Sequence, residues 1–318
     1  MGTEKERLAP IIIPTLNRYE HFKNCVESLK KDKLASQTEL IIGLDYPPSE
    51  KYVNGYNSIK DYIPTICGFK EVIVLESKTN LGPIENVNRL KEYVKNKNYD
   101  SYIFTEDDNV FSSCFLQFIN DALNKYRFDR NILSISGYSH KECYSFPSRF
   151  YFTYDSCAWG LGCWINKENA LDNIFDNNEY FEQKIRNYKS LFYILKNYPS
   201  LLLMLLYVMN IPRCDVKRTV YNIFEKTYQF RPVISLVRNC GQDGSGLHSG
   251  INKTLQEQDI YENDELFLDD NVLAADSAEN MRFYKNKSMW KNPFKRILYY
   301  PYALIKCIQY FLVQKHEK

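Results

Sequence analysis

The chain has 318 residues, 44% of them hydrophobic, and a formal net charge of +2. That length and apolar share suit one large domain or two small ones with a full core and exclude a disordered chain, while so small a charge gives no bulk electrostatic case for a nucleic-acid partner. Nine cysteines without a CxxC pair or finger spacing, behind a charged N-terminus with no apolar signal segment, predict a reducing cytoplasm and free thiols.

An apolar run at 8–13, closed by Pro14, reads as a first buried strand. Asn17, with Glu20 three residues on, reads as the cap of a helix that carries Phe22, Cys25, Val26 and Leu29 on one face. Strands follow at 39–44, running into Asp45 and a Tyr-Pro-Pro turn, and at 72–75. Asn80-Leu81-Gly82-Pro83 turns the chain into a helix with Ile84, Val87, Leu90 and Val94 at helical spacing. A fourth strand at 102–105 runs straight into Glu106-Asp107-Asp108-Asn109; an amphipathic helix at 115–126 and a fifth strand at 132–136 complete the series.

This alternation predicts an α/β fold with a mainly parallel sheet flanked by helices, whose ligands sit at the carboxyl ends of the strands. Asp45, Asn80 and the acidic tetrad all fall at such ends. Neighbouring carboxylates repel and need a positive partner, commonly a divalent cation with oxygen ligands; a solvated acidic turn that caps the next helix is the plain alternative. Neither GxGxxG nor GxxxxGKS occurs, which argues against a nicotinamide site and a P-loop.

Beyond residue 137 the alternation fades. The stretch Ala158-Trp159-Gly160-Leu161-Gly162-Cys163-Trp164 reads either as backbone lying against a ligand between aromatic walls or as a packed loop with core tryptophans. Aromatic-rich helical sequence continues to about 211, and its apolar run at 201–211 falls short of the roughly 18 residues that cross a bilayer. Asp215 follows, then the run 231–237, then a glycine-rich loop at 241–250 that holds His248, one of four histidines. From Asn292-Pro293 onward, Phe294, Ile297, Leu298, Leu304, Ile305, Ile308, Phe311 and Leu312 form an apolar face among Lys291, Lys295, Arg296, Lys306 and Lys315, with Pro301 as a kink. Such a basic amphipathic segment suits a membrane surface, and equally a helix packed on the rest of the protein or on a second subunit.

These pieces, in this order, resemble the GT-A glycosyltransferases, in particular the family-two-like bacterial group and the N-acetylglucosaminyltransferases that begin complex N-glycans. Ile12-Ile13-Pro14-Thr15-Leu16-Asn17-Arg18 matches the first strand and loop, Glu106-Asp107-Asp108 the DXD-type motif, Trp159-Gly160-Leu161-Gly162 the segment near the donor sugar, and Arg231-Pro232-Val233-Ile234-Ser235 with the loop through Gly244 to His248 a late Arg-Pro-x-Ile-Ser stretch. The resemblance implies a GT-A catalytic domain over 1–290, Rossmann-like with a mainly parallel central sheet, and a C-terminal segment over 291–318. It implies a metal-dependent, inverting transfer from a UDP-sugar to a glycan or lipid-linked oligosaccharide, with Mn²⁺ or Mg²⁺ held by Asp108 and His248 and with no nucleic acid involved. Thr15, Arg18, Asp45, Asn80 and Asp107 would bind the nucleotide, Asp45 through the base. Trp159, Gly160 and Gly162 would line the sugar pocket. Asp215 would be the general base, with Glu225 and Asp243 as fallbacks, although the tryptophans that flank this acid in the family are absent here. The setting implied is bacterial surface polysaccharide or lipopolysaccharide assembly, in the cytoplasm or on the inner face of its membrane. A sugar-nucleotide nucleotidyltransferase and a non-catalytic glycan- or nucleotide-binding protein are the alternatives.

Overall fold

The computed structural model describes residues 7–212, 214–246, 250–287 and 293–316. His248 and Arg213 lie outside them. The first half follows the expected alternation: β1 (Ile11–Thr15), α1 (Tyr19–Leu29), β2 (Glu39–Leu44), α2 (Val53–Tyr62), β3 (Glu71–Glu76), α3 (Gly82–Asn96), β4 (Ser101–Phe104), β5 (Asn109–Phe111), α4 (Phe115–Lys125) and β6 (Ile132–Ser136). Then come β7 (Phe150–Thr153), β8 (Leu161–Trp164), α5 (Ile165–Asp176), α6 (Glu179–Arg186), α7 (Tyr188–Asn197), α8 (Pro199–Val208) and α9 (Asp215–Glu225). The chain closes with β9 (Tyr228–Pro232), β10 (Val237–Asn239), α10 (Lys253–Gln256), β11 (Val272–Leu273), α11 (Ala278–Lys287) and α12 (Pro293–His316).

Nine strands form one sheet in the order β11-β7-β9-β6-β8-β4-β1-β2-β3. β1 pairs in parallel with β2 and with β4, and β2 with β3. The order 3-2-1-4 places a topological switch between β1 and β4, the place beyond whose strand ends such sheets bind ligands. The fold is therefore α/β with a mainly parallel central sheet, as expected.

Three local departures have physical causes. First, β1 does not stop at Pro14 but runs through it to Thr15. A proline is tolerated in this central strand because β1 pairs with β4 only at Ile11 and Ile12. Alternate residues face alternate neighbours, and Ile12 O accepts from Thr105 N on the β4 side. The missing N–H of Pro14 thus points where β4 has already given way to the acidic loop. Second, α1 is not capped by Asn17. The cap position is Arg18, and no side chain caps the helix; the Asn17 carbonyl instead meets the backbone of Gly55, where a Cβ would lie 2.0 Å away.

Third, the tryptophan–glycine stretch is no ligand-facing loop in its second half. It is strand β8, antiparallel to both β4 and β6. Gly162 pairs with Ile103 on one side and Ile135 on the other, and a Cβ there would come within 2.8 Å of Ile119 on α4. Gly160 has φ +62°, and a Cβ would strike Val237 and Phe115 at 2.7 and 2.8 Å. Trp164 is buried and donates its indole N–H to Leu123 O. Core packing alone accounts for both glycines and this tryptophan.

The chain divides into two compact units whose boundaries differ from a 1–290 body and a 291–318 tail. One comprises residues 1–150, 157–167 and 230–272; the other comprises 151–156, 168–229 and 273–318. In the first, Leu90 and Val94 on α3 cover Ile12 and Ile41 of the sheet. Phe118, Phe150 and Phe230 stack with ring centroids 5.5–5.9 Å apart, each burial contributing about 2 kcal/mol. In the second, α9 is held to α5 by a buried bidentate pair, Arg218 to Glu168, with both N–O distances 2.7 Å.

Candidate functional site

The loops beyond the carboxyl ends of β1 and β4 bring Arg18, Asp107 and Asp108 together. Asp107 and Asp108 follow β4 and are 5% and 7% exposed. Arg18, at the end of the loop after β1, lays its guanidinium across both: one nitrogen meets Asp107 and the other reaches Asp108 Oδ2 at 2.8 Å. The opposite oxygens are held elsewhere. Thr15 donates to Asp107 Oδ2 at 2.8 Å, and Asn239 Nδ2 donates to Asp108 Oδ1 at 2.7 Å. Burial pushes the Asp107 carboxyl above its ordinary range, against the pull of Arg18 and Thr15. The same burial works against the charge on Arg18, and the two carboxylates more than offset it.

The positive partner demanded by adjacent carboxylates is thus supplied in part by the chain itself. Asp107 and Asp108 against one guanidinium leave one formal negative charge, with Glu106 adjacent in sequence. Each aspartate oxygen accepts one bond among the described residues, so each carboxylate keeps about half of its roughly four acceptor positions. An all-oxygen donor set with that residual charge fits a hard divalent cation in type and in charge. No group of three or more His, Cys, Asp or Glu able to hold a metal occurs among the described residues. Glu106 turns away from the pair and accepts the Trp159 indole N–H at 3.1 Å. That tryptophan packs edge-on against Tyr138, 4.6 Å between centroids, so of the tryptophan–glycine stretch it is Trp159 whose side chain reaches the tetrad.

Asp45 has a different occupation. It is buried, and its two oxygens accept four bonds: from the backbone N–H of Tyr46, Leu81 and Gly82 at 2.8–2.9 Å and from Asn80 Nδ2 at 3.2 Å. Asn80 also donates to Tyr46 O at 2.7 Å. Asp45 therefore fastens the start of α3 to the end of β2, a carboxylate at a helix N-terminus, with its acceptor capacity filled.

Two residues outside the expected site, Asn239 and Gly241, complete the acidic corner. Asn239 ends β10, which pairs antiparallel with β5, and a backbone bond from Cys240 N to Asp108 O closes the junction. Gly241 follows, and a Cβ there would lie 2.0 Å from Asp108 Oδ2. Three-residue strands more than a hundred residues apart leave no periodicity to read; the glycine opening the late loop was the one available signal. That loop is tied down by His21 on α1, whose Nε2 lies 3.0 Å from Asp243 Oδ2. Ser245 and His21 hold the Asp243 carboxyl down at about 2, which makes it a poor proton acceptor.

Asp215 belongs to the second unit. It opens α9, where the helix dipole favours a carboxylate whatever its task, and Ser156 donates to its Oδ1 at 3.4 Å. Lys217, a candidate partner for it, instead donates to Asn178 Oδ1 and Phe175 O. Glu225 is engaged by Tyr180 and Lys184 and held below its ordinary range by them.

No protein-family profile and no curated protein matches the chain. Among solved structures, a mannosyltransferase from Pyrobaculum calidifontis in complex with GDP-Man and Mn²⁺ aligns at 12% identity over 54% of this chain and 47% of its own, with a TM-score of 0.37. TarS 1–349 of S. aureus in complex with UDP-GlcNAc aligns at 15% identity over 53% and 48%, TM-score 0.38. A cytidylyltransferase from Leptospira borgpetersenii aligns at 13% over 52% and 64%, TM-score 0.33. The chain spans about half the length of the first two, and likeness at this level assigns no activity.

Proposed function

We propose that the chain is a glycosyltransferase that moves a sugar from a UDP-sugar to a hydroxyl of a glycan or lipid-linked glycan, with inversion, in bacterial surface polysaccharide assembly. The observation that carries this reading is the half-used carboxylate pair under Arg18 at the β1–β4 switch. A nucleoside diphosphate leaving group is strongly anionic, and a corner that is itself net negative can receive it only with added positive charge. Asp108, with His248 as the expected further ligand, would hold Mg²⁺ or Mn²⁺, which when bound supplies charge to the departing diphosphate. Arg18 adds guanidinium donors beside that position, Thr15 and Asp107 hold Arg18 in place, and Trp159 offers an aromatic wall for the donor sugar. Asp45 shapes the base end of the site through Asn80 and α3, since its own oxygens are filled. Asp215 is the proposed general base, which would take the proton of the acceptor hydroxyl.

Thermal unfolding with UDP, GDP, CDP and dTDP, each with and without Mn²⁺, tests the donor half, because a ligand of the native state raises apparent stability. A metal-dependent rise with UDP is the expected result; a rise with nucleoside triphosphates and none with UDP would point to a nucleotidyltransferase. Asp215→Asn should keep the UDP shift and lose transfer, and normal transfer by that variant would place the base elsewhere.

A further inference from the structure

The last helix presents two apolar stripes, and the protein covers one of them. On α12 the buried stripe is Tyr299, Ala303 and Cys307 at i, i+4, i+8, facing α8, and Tyr310 continues that side by donating its hydroxyl to Glu182 on α6 at 3.1 Å. Leu298, Tyr302, Ile305, Ile308 and Leu312 follow at spacings of four, three, three and four residues, and each is between 45% and 68% exposed. At 100° per residue these five fall within about 120° of the helix, opposite the buried stripe. One side of the helix thus packs on the protein, and the other is exposed among the described residues.

The charge on α12 identifies what covers the open stripe. Its sequence contains Lys295, Arg296, Lys306 and Lys315 and no aspartate or glutamate. A second copy of the same surface would set basic helix against basic helix, which like-charge repulsion disfavours. Exposed apolar and tyrosine side chains on a helix whose charged residues are all basic match the boundary between acyl chains and anionic headgroups. No single helix among the described residues is long and apolar enough to cross a membrane, so the contact lies along the surface.

We propose that α12 seats this chain on an anionic lipid bilayer through the 298–312 stripe. The test is flotation of the full chain with vesicles of phosphatidylcholine alone and of phosphatidylcholine with a quarter phosphatidylglycerol. The expected result is co-flotation with the anionic vesicles only, weakened at high salt, and reduced at least about tenfold in an Ile305→Glu/Ile308→Glu variant. Both side chains are exposed, so the variant's unfolding temperature should match the wild type. Should it fold poorly, hydrogen exchange on the wild type decides: amides over 298–312 should slow when anionic vesicles are added. No flotation, equal flotation with both vesicles, unchanged exchange, or a wild-type dimer that the double substitution converts to monomer would each overturn the proposal.

Discussion

Two strand ends of one sheet carry buried carboxylates and use them in opposite ways. After β2, Asp45 accepts four hydrogen bonds and is spent on joining a helix to a strand. After β4, Asp107 and Asp108 accept two each among the described residues and share a single guanidinium. Both places satisfy the rule that ligands gather beyond the carboxyl ends of parallel strands. What separates them is remaining acceptor capacity: a filled carboxylate is a structural part, whereas a half-filled one has oxygens free to accept from a ligand.

Substitutions can break this contrast in either direction. The largest effect is expected from Asp108→Ala, which should lower transfer about a thousandfold, or ~4 kcal/mol, and abolish the Mn²⁺-dependent thermal shift with UDP while leaving the bare protein folded. Asp45→Ala should do the reverse. It strands three backbone N–H groups and an amide, so unfolding should cost ~3 kcal/mol less, with the metal-dependent shift retained. Loss of that shift in the Asp45 variant would show that Asp45 touches the ligand after all. Gly241→Ala forces a methyl onto Asp108 Oδ2 and should remove ~2 kcal/mol of stability together with the metal-dependent shift; a variant that binds normally would mean that the late loop sits elsewhere in solution. The smallest effect on binding is expected for Asn239→Ala, which deletes its hydrogen bonds to Asp108 and Asn109 and the one it accepts from Gly241 N; loss of the bond to Asp108, worth ~1 kcal/mol, should weaken Mn²⁺ affinity by roughly fivefold in a titration followed by paramagnetic resonance.

The open stripe of α12 shows the same logic on a helix. Periodicity announced an apolar face, and burial of Tyr299, Ala303 and Cys307 accounts for one stripe while the other is exposed among the described residues.

Most of the first half of the fold was legible from the chain alone, because strands and helices of ordinary length write their own period. β2 and β6 fall where the apolar runs placed them, β3 and β4 differ by one residue at each end, and β1 begins three residues later than its run. Strand β8 was not legible: four residues buried on both faces show no alternation, and its glycines read as loop signals until α4 is seen pressing on them. The acidic tetrad was visible as a demand for positive charge. That Arg18 would answer part of it, that Asp45 would be consumed by α3, and that Asn239 and Gly241 would close on Asp108 were decisions of tertiary structure. Local sequence sets which groups are available and in what rhythm. Which lone pairs are already taken depends on residues tens to more than a hundred positions away, and only folding brings those within hydrogen-bond reach.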